Sequence, residues 1–250
     1  MKFRPCIDLH DGVVKQIVGG SLTDTASPDT NFVAEKPPAW FAELYRRDNL
    51  TGGHIIKLGA GNDTVAKEAL AAWPGGLQLG GGVNAENAAS WIEAGASHVI
   101  VTSAVFKDGE IDMDSLRKIV DAVGVKRLVL DLSCRRRADD YYIVTDRWQK
   151  FTKVVVDGSI LQELAAFCAE FLIHAVDVEG KCRGVERELV ARLGRLSPIP
   201  ATYAGGISCM EDIHLIEELS GGRLDYTVGS ALDIFGGTGL HYSEVAALSR

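Results

Sequence analysis

The sequence lacks the features that would send a chain to nucleic acid or into a membrane. No segment is rich in lysine and arginine, and 26 basic against 34 acidic side chains leave a formal charge of −8. A basic stripe is the electrostatic footprint of a nucleic-acid binder, so no such partner is expected. No apolar run approaches the ~18–20 residues that span a bilayer, so no membrane segment is expected. Cysteines are few and odd in number: Cys6, Cys134, Cys168, Cys182 and Cys209 show no paired spacing, and several sit in apolar runs. They read as reduced, mostly structural thiols. His10, His54 and His174 are scattered singly, so no metal is predicted. No linker or shift of composition divides the chain, and residues 1–250 read as one domain. The N-terminus MKFRPCID runs straight into a predicted strand, so no signal or transit peptide is expected. A cytoplasmic, monomeric protein handling a small molecule is the expectation.

What is present has a repeating design. The stretch 3–10, FRPCIDLH, reads as a buried strand that delivers one carboxylate, Asp8, to its C-terminal end. The stretch 127–133, RLVLDLS, does the same with Asp131, 123 residues further along a chain of 250. The segment 11–35, which holds Gly19 and Gly20, is too polar for a core element and too long for a plain connector. It is expected to be an active-site loop, with the two glycines against the substrate. Trp40, Phe41, Leu44 and Tyr45 at helical spacing predict a helix within 36–49. Strand 54–58, helix 62–73, strand 77–80, helix 85–94 capped by Asn84, strand 98–102 and helix 113–123 follow. The cycle restarts at Lys126. Two β-rich runs within 140–157 predict a hairpin lid, and Ser159 with Gln162 forms a capping-box pattern opening a helix over 160–170. Strand 171–176, helix 185–196, strand 200–204, a helix capped through Ser208 and Glu211, and strand 225–228 complete the series.

Eight strand–helix units argue for an α/β fold, a closed parallel (β/α)8 TIM barrel built of half-barrels at about 1–124 and 125–250. Two further echoes support the repeat. LGGG around Gly81 returns as YAGG around Gly205, 124 residues on, and VTS ending at Ser103 returns as VGS ending at Ser230, 127 residues on.

In such a barrel the C-terminal strand ends carry the chemistry, and strands one and five face each other across the mouth. A lone aspartate at a strand end commonly caps a turn; a symmetric pair favours proton transfer by one protonated and one ionised acid. The turns at Gly81-Gly82 with Ser103, and at Gly205-Gly206 with Gly229-Ser230, offer bare backbone amides to anions. Two related cradles predict a bisphosphate ligand with its reacting part over Asp8 and Asp131. Trp148, in the lid, either stacks on a flat ring of the ligand or packs lid to barrel. Lys57, at the end of strand two, either meets a phosphate or forms an ordinary ion pair.

The stretches CIDLHDGVVKQIVGG, HIIKLG, LGGGV, VTSAVF, DLSCR, DRWQK, AVDVEG, YAGGIS and VGSALDIFGG together resemble the phosphoribosylformimino-aminoimidazole carboxamide ribotide isomerases of histidine biosynthesis. They are most similar to the eukaryotic branch, from Phe3 to about Gly237. The resemblance implies a cofactor-free Amadori rearrangement, the fourth step of that pathway, which turns an aminoaldose carrying two phosphates into an aminoketose. It implies Asp8 as general base at C2 and Asp131 as general acid at the furanose ring oxygen, with Trp148 stacking on substrate. Gly81, Gly82, Ser103, Gly205, Gly206, Gly229 and Ser230 match the family's phosphate turns. Four positions depart from the bacterial pattern: Lys57 stands where an acid is usual, Asn84 replaces an arginine after the first glycine turn, Gln16 falls near another arginine position, and Glu179 replaces an aspartate of the strand-six loop. The rivals are the cyclase subunit of the same pathway and a non-catalytic phosphosugar-binding barrel. The cyclase usually has a lysine where this chain has His10, and it has no Trp-Gln lid.

Overall fold

The computed structural model describes residues 1–18, 21 and 29–249. Gly19 and Gly20 therefore lie outside the described residues. Eight parallel strands form the frame: β1 (Cys6–His10), β2 (Gly53–Lys57), β3 (Leu77–Gly80), β4 (Val99–Val101), β5 (Leu128–Asp131), β6 (Glu170–His174), β7 (Ala201–Ala204) and β8 (Leu224–Thr227). Each pairs with its successor, in registers such as Asp8 beside Ile56 and Asp131 beside Leu172. The sheet closes where Phe3 bridges Tyr226 in parallel, with the Arg4 amide donating to the Tyr226 carbonyl at 2.8 Å. Among the described residues eight α-helices alternate with the strands: α1 (Pro38–Arg47), α2 (Asp63–Ala72), α3 (Ala88–Glu93), α4 (Met113–Val123), α5 (Gly158–Leu164), α6 (Arg187–Leu196), α7 (Met210–Ser220) and α8 (Tyr242–Ala247). The fold is the expected (β/α)8 barrel.

The period of two along each strand sorts its side chains. Ile7 and Leu9, Leu128 and Leu130, and Phe171 and Ile173 belong to the main core, between strands and helices. The alternate positions Val129 and Leu172 join Ile100 and Ile56 in a separate apolar layer. Burying each large aliphatic side chain stabilises the fold by about 1.5–3 kcal/mol. The same alternation puts Asp8 and Asp131 on the inward face at the C-terminal rim. At the opposite end Glu170 is buried and accepts hydrogen bonds from Gln78 Nε2 and Thr202 Oγ1, both at 3.1 Å.

Several local expectations change. The segment after β1 is not a plain loop: Val13–Ile17 turns back antiparallel on β1, and Thr30–Val33 pairs with it. Val14, Gln16 and Ile17 are buried there, so alternating apolar residues in a polar stretch make an edge ribbon. The lid has three strands, Cys134–Arg137, Asp140–Thr145 and Lys150–Val155, because the arginines of the first hid its β character. Helix α5 is capped by Asp157, whose Oδ1 accepts from the Ile160 amide at 2.9 Å, and it ends at Leu164 rather than near 170. At α7 the bond runs the other way from a capping box, since Ser208 donates both its amide and its hydroxyl to Asp212. Asn84 does accept from the Glu86 and Asn87 amides, but α3 starts only at Ala88.

Candidate active site

The C-terminal rim surrounds a cavity of about 780 Å³ that both aspartates line, together with Trp148, His174 and Glu179. Strands β1 and β5 are separated by three strands on either side, so the two carboxylates approach the ligand space from opposite walls. Gly81, Gly82 and Ser103 line one flank of this cavity. Gly205, Gly206, Gly229 and Ser230 line a narrower recess of about 30 Å³, which shares Asp8, Gln16, His174 and Glu179 with the main site. The structure thus brings the predicted acids and both glycine cradles around one space.

The glycines are required where the backbone crosses itself. Gly81 has φ +91°, and a Cβ there would collide with the Lys57 carbonyl. Gly206 has φ +76°, and a Cβ would collide with the Gly184 carbonyl. Only glycine tolerates both the positive φ and the close approach of these backbone segments. Each cradle serine is also engaged. Ser103 Oγ accepts from the Asp146 amide of the lid at 3.1 Å, and Ser230 Oγ accepts from Asn31 Nδ2 at 3.0 Å. Asn31 also donates to the Gly180 carbonyl at 2.9 Å, so the ribbon after β1 covers the narrower recess.

The two aspartates have opposite electrostatic surroundings. Burial pushes the Asp8 carboxyl up to about 7; His174 opposes the shift, and the half-buried Glu179 adds to it. Its side-chain donors are neutral: Gln16, with Nε2 at 3.2 Å, and the Cys6 thiol. Burial also acts to raise Asp131, but the charge of His174 and hydrogen bonds from His174 and Ser133 outweigh it and hold the carboxyl below its ordinary value. The Ser133 amide donates to Asp131 Oδ1 at 2.8 Å, and the Ser133 hydroxyl donates to the same oxygen. His174 Nδ1 lies 3.6 Å from Asp131 Oδ2. Burial would lower His174, yet Asp131 and, further off, Glu179 and Asp8 raise it to about 9.

The other predicted side chains are placed less uniformly. Trp148 lines the cavity, and its ring centroid sits 5.5 Å from that of His174 at 42°. Glu179 lines both recesses, and burial raises its carboxyl despite His174. Lys57 lines the cavity, but its amine is bound to Asp63 Oδ1 at 2.7 Å and lies 4.1 Å from the Trp91 ring centroid. It makes the ion pair that was one of its two readings. Among the described residues no three His, Cys, Asp or Glu side chains form a group that could hold a metal ion.

A family model described as "Histidine biosynthesis protein" matches residues 2–237. The chain belongs to the histidine biosynthesis protein family. Among curated relatives it is 54% identical, over 99% of this chain and 81% of theirs, to a Medicago truncatula protein. That protein is named as a chloroplastic 1-(5-phosphoribosyl)-5-((5-phosphoribosylamino)methylideneamino) imidazole-4-carboxamide isomerase. Proteins with the same isomerase name from Yarrowia lipolytica and Neurospora crassa are 51% and 49% identical, over 97% and 100% of this chain and 96% and 98% of theirs. The match to the histidine biosynthesis family starts before β1 and ends beyond Ser230, so both halves of the site lie inside it.

Sequence reasoning missed His174, Ser133 and Asn31 in this family member. His174 carries a signal in hindsight: in the run FLIHAV it stands two residues after Leu172, on the strand's inward face. Ser133 and Asn31 carry none, because a serine after a strand and an asparagine in a polar stretch are ordinary surface residues.

Proposed function

We propose that this chain is an aldose–ketose isomerase of histidine biosynthesis, acting on an N-ribosyl aminoimidazole carboxamide intermediate that bears a phosphate at each end. The reaction is an Amadori rearrangement run by proton transfers alone. One observation carries the reading: a half-buried and a buried carboxylate on opposed strands, with opposite protonation tendencies, lie between two glycine turns around one space. Asp8 is the general base. A carboxylate pushed up to about 7 is half ionised near neutral pH and holds an abstracted proton well, which is where Brønsted behaviour favours a base. Asp131 is the general acid at the ring oxygen. Gly81, Gly82 and Ser103 receive one phosphate; Gly205, Gly206, Gly229 and Ser230 receive the other once Asn31 gives way. Trp148 stacks on the substrate, and Glu179, Gly19 and Gly20 complete its surroundings. All three relatives described above carry an isomerase name, so the cyclase and the non-catalytic barrel are not favoured.

The test is turnover of the bisphosphate aminoaldose. Asp8→Asn and Asp131→Asn are each expected to lower kcat by about 10²- to 10⁴-fold, the usual worth of one acid or base, with substrate affinity nearly unchanged. Unreduced kcat in either variant removes that residue from the mechanism. The chain is further proposed to be one domain of two half-barrels, 1–124 and 125–250, and to act as a monomer, which sedimentation would check. No helix among the described residues is long and apolar enough to cross a membrane. The Medicago relative's name places that protein in a chloroplast, so a cytoplasmic location is proposed here subject to fractionation.

A further inference from the structure

A general acid must hold a proton before it can give one, and Asp131 is surrounded by groups that strip it of its own. The Ser133 amide and hydroxyl both donate to Asp131 Oδ1, and the His174 imidazole lies 3.6 Å from Oδ2. The proton such an acid would donate is therefore sought among its neighbours. His174 Nδ1 is 3.1 Å from Ser133 Oγ, and Ser133 Oγ in turn bonds Asp131, so a three-membered chain of polar atoms joins imidazole to carboxylate. All three residues are buried, His174 at 9% and Asp131 at 8% exposed, and Ser133 fully covered. Trp148 lies against the His174 ring on the side of the lid.

Building on the isomerase reading, we propose that His174 is a positioning and proton-storing residue for Asp131, recharging the acid through the Ser133 hydroxyl. At rest Asp131 is a carboxylate and His174 an imidazolium. The Ser133 hydroxyl passes its proton to Asp131 while Ser133 Oγ takes the His174 Nδ1 proton, leaving Asp131 in its acid form and a neutral imidazole. Asp131 then gives that proton to the furanose oxygen as the C1–O bond breaks; the bond's electron pair stays on oxygen, and the nitrogen lone pair forms the C1=N bond. Asp8 removes the C2 proton in the following step. As product leaves, the Asp8 proton passes to water and one proton returns from water to His174, so the enzyme ends as it began.

The groups facing His174 from each packed element are consistent with a stored proton. Asp131 on β5, Asp8 on β1 and Glu179 after β6 favour the imidazolium, and only His54 on β2, itself lowered to about 3 by burial, opposes no charge to it at neutral pH. With these partners His174 rises to about 9 against the pull of its own burial. A histidine with no such partner gives up its proton near 6.5.

Two measurements test the assignment. First, nitrogen NMR of the His174 ring in the native protein should show protonation persisting above pH 8, with titration moved to lower pH in Asp131→Asn. A ring that titrates at or below 6.5, or that ignores Asp131→Asn, overturns the proposal. Second, His174→Gln keeps a polar side chain without a titrating proton. It should lower kcat by about 10²-fold or more with KM within about threefold, and should shift the alkaline limb of the pH profile to lower pH. An unchanged limb with lowered kcat is a merely structural effect and overturns the role, as does an unchanged kcat. Native protein that does not turn the bisphosphate over removes the isomerase reading and this role with it. Native turnover, silenced by Asp8→Asn but indifferent to His174→Gln, removes the role alone.

Discussion

Asp8 keeps a proton that water would take from it. Its folded value of about 7 lies above the ordinary carboxylate value, so between roughly pH 4 and 7 the native state binds more protons than the unfolded chain. Stability therefore falls as pH rises through this window, and above it the full cost of a desolvated carboxylate stays in the fold. His174 adds in the same direction at higher pH: its contribution is complete below 6.5 and is lost as pH rises through about 9. Asp8→Asn removes the first cost. Its Tm is expected to exceed the native value by at least ~2 °C at pH 8, the shift that about 1 kcal/mol produces in a chain of this size. The gain at pH 5 should be smaller. Equal gains at both values in thermal melts would mean that Asp8 is not the group that carries the cost. A residue held unstable for its task is a familiar compromise between stability and activity.

At the scale of elements, the lid is the part under local strain. Asp146, Arg147 and Trp148 run consecutively with φ of 50°, 56° and 67°, a left-handed turn built without glycine between the second and third lid strands. That geometry aims Trp148 into the mouth and leaves the Asp146 amide on Ser103. Trp148→Ala is expected to raise KM by about tenfold or more, since stacking on an aromatic face contributes about 1–3 kcal/mol per ring and each 1.4 kcal/mol is a factor of ten. Steady-state kinetics with an unmoved KM and kcat would return Trp148 to a packing role. The other lid turn offers a stability test away from the site. Ala138 has φ 57° at the first central position of the hairpin joining Cys134–Arg137 to Asp140–Thr145, a place that glycine fills without strain. Ala138→Gly should raise Tm by about 2–4 °C and leave turnover as it is; a lowered Tm would show that the turn bears no strain.

At the scale of the whole molecule, the barrel depends on its seam. Arg4 joins the ends of the cylinder: Nε and Nη2 reach Asp225 Oδ2 at 2.8 and 2.7 Å, and Nη1 donates to the Thr51 carbonyl at 2.7 Å. Phe3 packs on Tyr226 beside it, with ring centroids 5.8 Å apart. Arg4→Ala should lower unfolding free energy by about 1.5–3 kcal/mol, the range for partly buried hydrogen bonds to charged groups. Denaturant unfolding should remain a single transition for both halves, with turnover well below the melting range changed less than twofold. Two separate transitions would show half-barrels that fold independently.

The sequence by itself determined the cylinder and its acids. Alternation along 3–10 and 127–133 leaves Asp8 and Asp131 one possible face, and the eight-unit series has one economical closure. The glycine turns were legible too, because Gly81 and Gly206 stand between a strand and a helix where the backbone takes a positive φ. The extra ribbon after β1 and the arginine-bearing lid strand were not legible, since their apolar alternation is broken by polar residues that only tertiary neighbours accommodate. Nor could the sequence say which aspartate keeps its proton. That depends on His174, 43 residues beyond Asp131 in the chain, arriving beside it while Gln16 arrives beside Asp8. Electrostatic interaction depends on distance through the folded interior, and the fold alone sets that distance.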